Sequence, residues 1–442
     1  MSPSSPPGPN PISSTNARLR QHLAAITSAA LSAVDAQRLT ARGLSALDDE
    51  LRTAGPVRVV AAGKAAVGMA AAAEQWLGAH LRAGVLTAPA SVQTHKAWHV
   101  VAASHPQPNA ESEAAGRAAL SLADQTLREH GLLLVCLSGG ASAMLAVPGE
   151  GLTIADKAAT TGCLLRAGLD ISEINMVRRH LSAIKGGQLA ARAGRVVTLA
   201  ISDVCTPVED DPAVIASGPT VGDASSFDDA LAVLDRHSLR GVIPAAALRH
   251  LEAGAAGRVG GPVPPGDPRL KSSAYWLVGS RQDAMTAARD TAARLGYHVH
   301  MERAPVVGEA HLAGPALIAR AVSYERPACV IASGETTVHV RGSGHGGRNQ
   351  ELAVAALTAL SGAAPAALAS VGTDGVDGPT DAAGGFVTSD MWGALGAGAS
   401  GLVRDALARN DTYPLLQQLE ALVKTGPSGT NVGDLQILLL DA

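Results

Sequence analysis

The sequence predicts an α/β protein with mostly parallel sheets. Short apolar runs alternate with longer amphipathic stretches along most of the 442 residues, and strand–helix alternation at this spacing is typical of βαβ units. The chain is 47% hydrophobic but only 2% aromatic, so alanine, glycine, valine and leucine must fill the interior. Such small side chains suit the packing of helices on a parallel sheet. The length indicates two or three domains.

The apolar runs predict strands at Val57–Ala62, Val85–Ala88, His99–Ala103, Leu132–Leu137, Val196–Ile201, Trp276–Val278, His298–His300, Cys329–Ala332, Thr337–Val340, Ala367–Val371 and Gln436–Leu440. The amphipathic stretches predict helices at Lys64–His80, Ala110–His130, Ile154–Ala167, Arg281–Leu295, Ala310–Ser323 and Asn349–Leu360.

Composition also predicts the domain boundaries. Residues 1–16 are rich in Ser and Pro without an apolar core, so we expect a disordered tail and no signal peptide. Residues 253–270 are dense in Gly and Pro and are predicted to be a linker. The linker would separate an N-terminal α/β domain at 17–252 from a C-terminal α/β region at 271–442.

Charge and cysteine content exclude several classes of protein. The formal net charge of -4 argues against a dedicated nucleic-acid binder. No apolar run reaches the roughly 18 residues of a membrane span. The four cysteines lie far apart without a CxxC pair, as expected for reduced thiols in a cytoplasmic protein.

Ligands of open parallel sheets bind beyond the carboxyl ends of the strands. The first strand is followed by Gly63 and Lys64, and a lysine at a helix start opposes the helix dipole unless an anion binds there. The loop after the fourth strand contains Ser138, Gly139, Gly140, Ala141 and Ser142, whose amides and hydroxyls predict an anion-binding nest. The alternatives are a solvent-exposed lysine and a simple tight turn.

Carboxylates follow two other strands. Asp203 comes directly after the strand that ends at Ile201 and is a candidate metal ligand or general base. Asp374 and Asp377 share a Gly-rich loop that would hold Mg²⁺ or simply form Asx-turns. Glu335 follows another strand and is a further metal candidate.

Cations form a third group of candidates. Arg348 opens a helix after a glycine run, a position suited to bidentate phosphate contact. Arg178 and Lys185 are predicted to share one helix face and to bind a carboxylate, unless this is an ordinary surface helix. Two GxGxxG matches, at residues 342–347 and 396–401, lack the context of a dinucleotide-binding fingerprint. The remaining candidates for substrate or phosphate binding are Ser217, Gly218, Thr336, Asn349 and Gln350.

Taken together, these segments resemble one family. The segments are AAGKAAVGMA, SHPQPNAES, LSGGASAML, NMVRRHLSAIKGGQLA, ISDVCTPVEDDPAVIASGPT, SGETTVHVRGSGHGGRNQELA, SVGTDGVDGPTDAAGGFV and GTNVGDLQILL. They are similar to the class II glycerate 2-kinases, which join an N-terminal glycerate-kinase domain to a C-terminal MOFRL domain, here at about 327–440. Members of this family have often been labelled hydroxypyruvate reductase.

The resemblance implies two Rossmann-like, three-layer α/β domains with mostly parallel sheets and a cleft between them. It implies transfer of the γ-phosphoryl group of ATP to the 2-hydroxyl of D-glycerate, with Mg²⁺ as cofactor. Lys64 and Arg348 would neutralise phosphate or carboxylate, and the Ser138–Ser142 loop would bind an anion. Asp203 or Asp374 would orient Mg²⁺ or accept the hydroxyl proton. The expected partners are ATP and D-glycerate, with a homodimer left open and neither nucleic acid nor membrane.

Two other functions remain in competition. An NAD(P)H-dependent hydroxypyruvate reductase would need a dinucleotide site and a His–acid pair, neither of which the sequence supplies in the right context. A non-catalytic sensor of sugar acids or nucleotides would not need cations and strand-end carboxylates in both halves of the chain.

Overall fold

The computed structural model describes residues 11–89, 91–92, 94, 96–362 and 364–441. The chain forms two compact units. The central unit is Ala36–Gly279, and the split unit combines residues 11–35 with residues 280–441. Each unit contains a six-stranded sheet with helices packed on it, so the predicted α/β class is confirmed.

The helices are α1 (Pro11–Ala33), α2 (Ala36–Ala46), α3 (Asp48–Arg52), α4 (Ala66–Leu77), α5 (Ala110–Arg128), α6 (Ala141–Met144), α7 (Ile154–Arg166), α8 (Ile171–His180), α9 (Gln188–Ala193), α10 (Phe227–Arg236), α11 (Ala245–Ala255), α12 (Arg281–Arg294), α13 (Ala310–Ala321), α14 (Arg348–Leu360), α15 (Met391–Ala394), α16 (Ala399–Ala408) and α17 (Thr412–Gln418). The strands are β1 (Val57–Ala62), β2 (Leu81–Thr87), β3 (Trp98–Val101), β4 (Leu132–Leu137), β5 (Val196–Ile201), β6 (Ser273–Gly279), β7 (His298–Met301), β8 (Ala328–Gly334), β9 (Ala366–Gly372), β10 (Gly384–Thr388), β11 (Leu422–Val423) and β12 (Asp434–Leu440).

The sheet of the central unit is parallel throughout, in the order β3-β2-β1-β4-β5-β6. Strands β1, β4 and β5 are buried along their whole length, which explains why their sequences are nearly continuous apolar runs. Helices α5 and α9 pack on one face of the sheet, whereas α2 and α4 pack together on the other. The strand order is that of many nucleotide-binding sheets.

A second layer of helices extends the central unit. Helices α7, α8, α10 and α11 share an apolar core of their own, which includes Leu164, Val177 and Leu234. Side-chain caps fix where α7, α8 and α10 begin, because Thr153, Asp170 and Ser226 accept backbone amides of the first turn. This layer carries the cationic side chains described below.

The sheet of the split unit is mixed, in the order β11-β10-β9-β12-β8-β7. Strand β12 lies between β8 and β9 and is antiparallel to both, and β9 is antiparallel to β10. Only β7 and β8 pair in parallel. This differs from the expected mostly parallel sheet. For β9 and β10 the reason is that residues 373–383, which join them, contain no helix, whereas parallel neighbours need a crossover connection.

Several local predictions also differ from the structure. Thr337–Val340 alternates like a strand but forms only an isolated bridge, between Thr337 and Glu309. Strands β10 and β11 were not predicted, because glycines open β10 and β11 has only two residues. Of the predicted tail, residues 1–10 lie outside the described residues, and residues 11–16 form the start of α1.

The Gly/Pro-rich stretch 253–270 lies inside the central unit. The amide of Val263 donates to the carbonyl of Gly186, and the amide of Asp223 donates to the carbonyl of Val263. Strand β6 follows and completes the central sheet, so the change of unit falls at Ser280. Across the described helices, none is both long enough and apolar enough to cross a membrane.

Candidate functional site

The loops after β1 and β4 lie side by side where the strand order of the central sheet reverses. Strands β2 and β3 continue on the β1 side and β5 and β6 on the β4 side, and ligands bind at such switch points. The amide of Lys64 donates to the carbonyl of Gly139 at 2.9 Å, and the amide of Ala65 donates to Oγ of Ser138 at 2.9 Å. The structure therefore joins two of the predicted anion-binding loops.

Glycine makes this close packing possible. Gly63 has φ +112°, and a Cβ there would lie only 2.3 Å from Oγ of Ser138. Gly140 also has a left-handed backbone, with φ +86°, just before α6. Ser138 is fully buried and uses its hydroxyl to support the neighbouring loop, so the loop's donors for a ligand are its amides.

A cavity of about 420 Å³ lies beyond the carboxyl ends of β1, β2 and β3. Its lining includes Gly63, Lys64, Thr87, His105 and Met144. The Lys64 side chain is exposed, as its position at the edge of a cavity requires. The volume lies in the usual range of small-molecule sites, and the lysine makes the cavity suitable for an anionic ligand.

A second cavity, of about 280 Å³, is strongly basic. Lys157 from α7, Arg178 from α8 and Lys185 line it together with Ser142, and none of its described lining residues is an Asp or Glu. Three cations without a lining carboxylate are costly in a buried place, because each charge loses its hydration. An anionic ligand would supply the missing charge.

Ser142 is the centre of a hydrogen-bond network in this cavity. Its Oγ lies 2.8 Å from a guanidinium nitrogen of Arg178 and 2.8 Å from Oγ of Ser217. Nζ of Lys185 lies 2.9 Å from the same Oγ, and it donates to the carbonyls of Ser142 at 2.8 Å and Ala216 at 3.2 Å. The structure thus unites four of the predicted residues.

The backbone beneath this network is strained. Ala216 and Ser217 are buried and adopt left-handed φ values of +55° and +60°. Such conformations cost roughly 1–3 kcal/mol each outside glycine and concentrate at functional sites. Here they direct a carbonyl and a hydroxyl at the network. Gly218 follows with φ +61° and accepts a hydrogen bond from the amide of Gly187.

Burial controls the protonation of the cavity cations. Burial, and then the charge of Arg178, lower the pKa of Lys157 from 10.5 to about 7. Burial and the neighbouring cations also lower the pKa of Lys185 well below 10.5. A carboxylate or phosphate bound in the cavity would favour the charged forms again. The arrangement is therefore chemically suited to a small acid.

The acids of the central unit are placed as the sequence predicts, after β5. Asp203 is half-buried two residues beyond the end of the strand. Three acids follow farther along the chain, at residues 209–211, and Oδ1 of the last, Asp211, accepts the amide of Ala213 at 2.8 Å, which is a turn contact. Asp203 is thus the better-placed carboxylate at this sheet edge.

In the split unit, three strand ends meet at one edge of the sheet. Asp434, the first residue of β12, is in register with Gly334 of β8 and Gly372 of β9. Arg348, the first residue of α14, donates from Nε and NH2 to the two carboxylate oxygens of Asp434, at 2.6 and 2.9 Å. Its NH1 donates to Glu335 at 2.7 Å. These bonds use three of the five guanidinium donors.

The two members of the buried pair shift each other's protonation. Asp434 is 1% exposed, and burial raises its pKa to about 6 although the hydrogen bond from Arg348 acts in the opposite direction. Burial alone would lower the pKa of Arg348, but the hydrogen bond and charge of Asp434 raise it. The guanidinium therefore stays charged and has a fixed orientation.

Asp377 and its neighbours form the cap of α14. Its Oδ1 accepts the amide of Asn349 at 3.0 Å, and its Oδ2 accepts the amide of Gln350 at 2.9 Å. Burial raises the pKa of Asp377, while these amides oppose that shift. Asp374 accepts the amide of Val376 at 3.1 Å in an Asx-type turn. The described contacts of Asp377 and Asp374 are therefore structural, and their binding role stays a prediction.

The carboxylates fit a magnesium ion only in a limited way. Within the described stretches, no group of three or more His, Cys, Asp or Glu side chains is arranged to hold a metal ion. Both oxygens of Asp377 accept amides, and Glu335 is paired with Arg348. Mg²⁺ commonly needs only one or two carboxylates when it binds with nucleotide phosphates, so Asp203 of the central unit and Asp374 of the split unit each stay a separate candidate.

The structure adds two residues that the sequence analysis missed. Lys157 lies in the basic cavity, and Asp434 holds Arg348. The chain contains only six lysines, so the presence of one at position 157 could have indicated a functional position. For Asp434 the signal was an acid directly before a fully buried strand. Thr336, a predicted residue, is 2% exposed, and its Oγ1 has no hydrogen-bond partner among the described residues.

Comparison with known protein families matches both parts of the chain. The model described as "Domain of unknown function (DUF4147)" matches residues 22–252. The model of the MOFRL family matches residues 328–434.

Individual relatives match along nearly the whole chain. A glycerate 2-kinase of Pyrococcus horikoshii is 34% identical over 93% of this chain and 95% of the relative. A D-glycerate 2-kinase of Thermotoga maritima is 38% identical, over 87% and 90% respectively. The crystal structure of a Thermotoga maritima glycerate kinase superposes with a TM-score of 0.83 at 34% identity, covering 96% of this chain and 100% of that one. Two relatives from Agrobacterium vitis carry the name putative hydroxypyruvate reductase.

Proposed function

Since the chain belongs to the glycerate 2-kinase family, we propose that it transfers the γ-phosphoryl group of ATP to the 2-hydroxyl of D-glycerate. The products are 2-phosphoglycerate and ADP. The kinase relative from Pyrococcus horikoshii matches 93% of this chain, and a relative named as a reductase matches 86%. The loop after β1 has the sequence Ala-Ala-Gly-Lys-Ala, which is not a dinucleotide-binding fingerprint. The reductase alternative is therefore set aside as a label carried by some relatives.

One observation carries the proposal, namely the basic cavity of the central unit. Its volume of about 280 Å³ suits a three-carbon acid, and its cations have no lining carboxylate to neutralise them. Arg178 and Lys157 bind the carboxylate of glycerate. Lys185 is not assigned to the carboxylate, because its Nζ already lies within 3.2 Å of three oxygen atoms of Ser142 and Ala216. The 2-hydroxyl is on the carbon next to the carboxylate. Ser142, whose Oγ lies 2.8 Å from Arg178, is then beside that hydroxyl.

The nucleotide phosphates bind at the switch point of the sheet. Lys64 and the amides of Gly139 and Gly140 provide the positive charge and the donors that a transferred phosphoryl group requires. Within the split unit, Arg348 is held by Asp434 and has donors left for a phosphate or carboxylate. The chemistry needs positioning and charge neutralisation more than covalent catalysis.

Mg²⁺ belongs to the same proposal, with either Asp203 or Asp374 as a carboxylate that would hold it. When bound, the ion neutralises charge on the phosphates of ATP. Glu335 and Asp377 orient other groups through their contacts with Arg348 and with the start of α14. We also propose a cytoplasmic location, which is consistent with the free thiols. The homodimer stays a prediction, and light scattering would test it.

The decisive assay supplies D-glycerate and MgATP and detects the product with enolase alone, which consumes 2-phosphoglycerate but not 3-phosphoglycerate. A parallel reaction contains hydroxypyruvate and NADH. We expect ADP and 2-phosphoglycerate in the first reaction and no NADH oxidation in the second. NADH oxidation without ADP formation would reverse the assignment.

Two substitutions test the proposed residues. Lys64→Ala and Arg348→Ala should each lower turnover at least tenfold, which corresponds to about 1.4 kcal/mol of barrier, while circular dichroism stays unchanged. Lys271→Ala, at an exposed lysine of the central unit, is the matched control. Full turnover in both Lys64→Ala and Arg348→Ala would show that the phosphates bind elsewhere.

A further inference from the structure

We propose that Ser142 and Lys185 form the proton-accepting pair of the reaction, with Ser142 receiving the proton of the acceptor hydroxyl and relaying it to the amine of Lys185. This rests on the proposed kinase function. It assigns the general base to a serine–lysine pair in the central unit instead of to Asp203 or Asp374.

The hydrogen-bond geometry around Lys185 supports this role. A neutral amine has two N–H donors and one lone pair, and Lys185 has three oxygen neighbours. Two of these are backbone carbonyls, of Ser142 and Ala216, which can only accept. The third is Oγ of Ser142, at 2.9 Å, which alone of the three carries a proton to donate. The three neighbours accommodate both forms of Lys185: the ammonium donates to all three oxygens, whereas the neutral amine donates to the two carbonyls and accepts from Oγ of Ser142.

Burial and charge favour that neutral form. Lys185 is 2% exposed, and the charged groups that face it are the cations Arg178, Lys157 and Arg179. Of these, Arg179 is paired with the carboxylate of Asp223. Burial first, and then these cations, lower the pKa of Lys185 well below 10.5. A buried amine in such surroundings can take up a proton at physiological pH.

Ser142 reaches the substrate because its network can rearrange. Its Oγ has two lone pairs, and in the free protein Arg178 donates to one of them from 2.8 Å. When Arg178 turns to the carboxylate of glycerate, that lone pair becomes available to the adjacent 2-hydroxyl. Ser217, 2.8 Å from the same Oγ, keeps the side chain of Ser142 in position.

Phosphoryl transfer forms one bond and breaks another. The oxygen of the 2-hydroxyl bonds to the γ-phosphorus, while the bond between that phosphorus and the β,γ-bridging oxygen breaks. The electron pair of the broken bond leaves with ADP. The hydroxyl proton passes to Oγ of Ser142, and the proton of Ser142 passes to Nζ of Lys185. The ammonium group of Lys185 then returns its proton to solvent.

The first test uses Ser142→Ala, which removes the relay but leaves both carboxylate-binding cations. We expect kcat to fall about 100-fold or more while the dissociation constant of D-glycerate, measured calorimetrically, changes less than threefold. Ser172→Ala, on the exposed surface of α8, is the control. A serine that only shaped the site would raise the dissociation constant instead. A kcat within threefold of the wild-type value would overturn the proposal.

The second test distinguishes proton transfer from structure. In the wild type, kcat/KM should rise with pH through an acidic limb, because the relay needs neutral Lys185, and the limb should disappear in Ser142→Ala. Added primary amines should rescue Lys185→Ala with rates that increase with amine basicity. Rescue that follows only amine size would contradict the relay. If Lys185→Ala does not fold, the Ser142→Ala profile decides alone.

Failure of the relay is distinguishable from failure of the proposed function. A wild-type protein that makes no 2-phosphoglycerate would contradict the kinase assignment itself. An active wild type with an equally active Ser142→Ala variant would contradict only the relay, and the base would then be sought among the carboxylates.

Discussion

Lys157→Met should make the protein more stable and less active, in a way that depends on pH. The lysine is 7% exposed, and its Nζ donates to the carbonyls of Leu181 at 2.8 Å and Arg178 at 3.4 Å. Methionine has a similar shape but no charge. The substitution therefore removes the cost of burying a cation together with two hydrogen bonds.

The magnitude follows from the pKa. In the unfolded chain the lysine titrates near 10.5, whereas burial lowers its pKa to about 7 in the folded protein. At about 1.36 kcal/mol per pKa unit, the lysine disfavours folding by roughly 5 kcal/mol at pH 6. At pH 9 the folded lysine is neutral while the unfolded one is still charged, which leaves a cost of roughly 2 kcal/mol.

Removing the buried charge therefore raises the free energy of unfolding. The two carbonyls that lose their donor offset this rise by about 1–3 kcal/mol in total. Lys157→Met should thus raise the free energy of unfolding by roughly 3 kcal/mol at pH 6 and leave it nearly unchanged at pH 9. A depressed lysine pKa gives this sign, since the cost of burying the lysine is complete below the folded pKa of about 7 and shrinks as pH rises from there towards 10.5.

Urea unfolding of wild type and variant at pH 6 and pH 9, followed by circular dichroism, measures the difference. Lys271→Met provides the control, because the same change at an exposed lysine should have little effect at either pH. In the kinase assay, the KM for D-glycerate should rise at least tenfold, since the proposed carboxylate site loses one of its two cations. A variant destabilised equally at both pH values would refute this reasoning.

Three other substitutions have defined outcomes. Gly63→Ala should lower kcat/KM at least tenfold, because its Cβ would meet a hydroxyl at 2.3 Å; Gly151→Ala, with φ +75° but open space, should not. Asp434→Asn should reduce the free energy of unfolding by about 2–4 kcal/mol, because it leaves a partly buried guanidinium without its charged partner. In the same urea unfolding experiment, Glu335→Gln should cost less than about 1 kcal/mol, since that partner of Arg348 is 51% exposed. Arg178→Lys should raise the KM for D-glycerate by roughly 10–100-fold but not that for ATP, because bidentate contact is lost; equal effects on both would place the residue elsewhere.

The parallel sheet of the central unit was predictable because its strands are buried on both faces. Val57–Ala62, Leu132–Leu137 and Val196–Ile201 are observed at their predicted bounds, since continuous apolar runs of this length admit few other structures. The mixed sheet was not predictable in the same way. The direction of β12 depends on its partners β8 and β9, which lie far away in the sequence.

For the site, the sequence identifies which loops matter better than which atoms act. The glycines and hydroxyls after β4 indicated an anion-binding loop, but Ser138 supports a neighbouring loop and Ser142 joins a network instead. In the sequence, Lys157 is simply one polar position of an amphipathic helix. Its burial could not be predicted, because it depends on α8 and on a loop that packs against α7. Pairings such as that of Arg348 with Asp434, 86 residues apart, exist only once the sheet has formed.

The split unit has a consequence for the order in which the chain folds during its synthesis. Helix α1 packs against α12 and β9, which the ribosome adds some 250 or more residues later. At roughly 5–20 residues per second, the helix emerges tens of seconds before its partners. The apolar face of α1, which includes Leu19, Leu23 and Ile26, therefore stays without its packing partners until Ser280 and the residues beyond it have been synthesised.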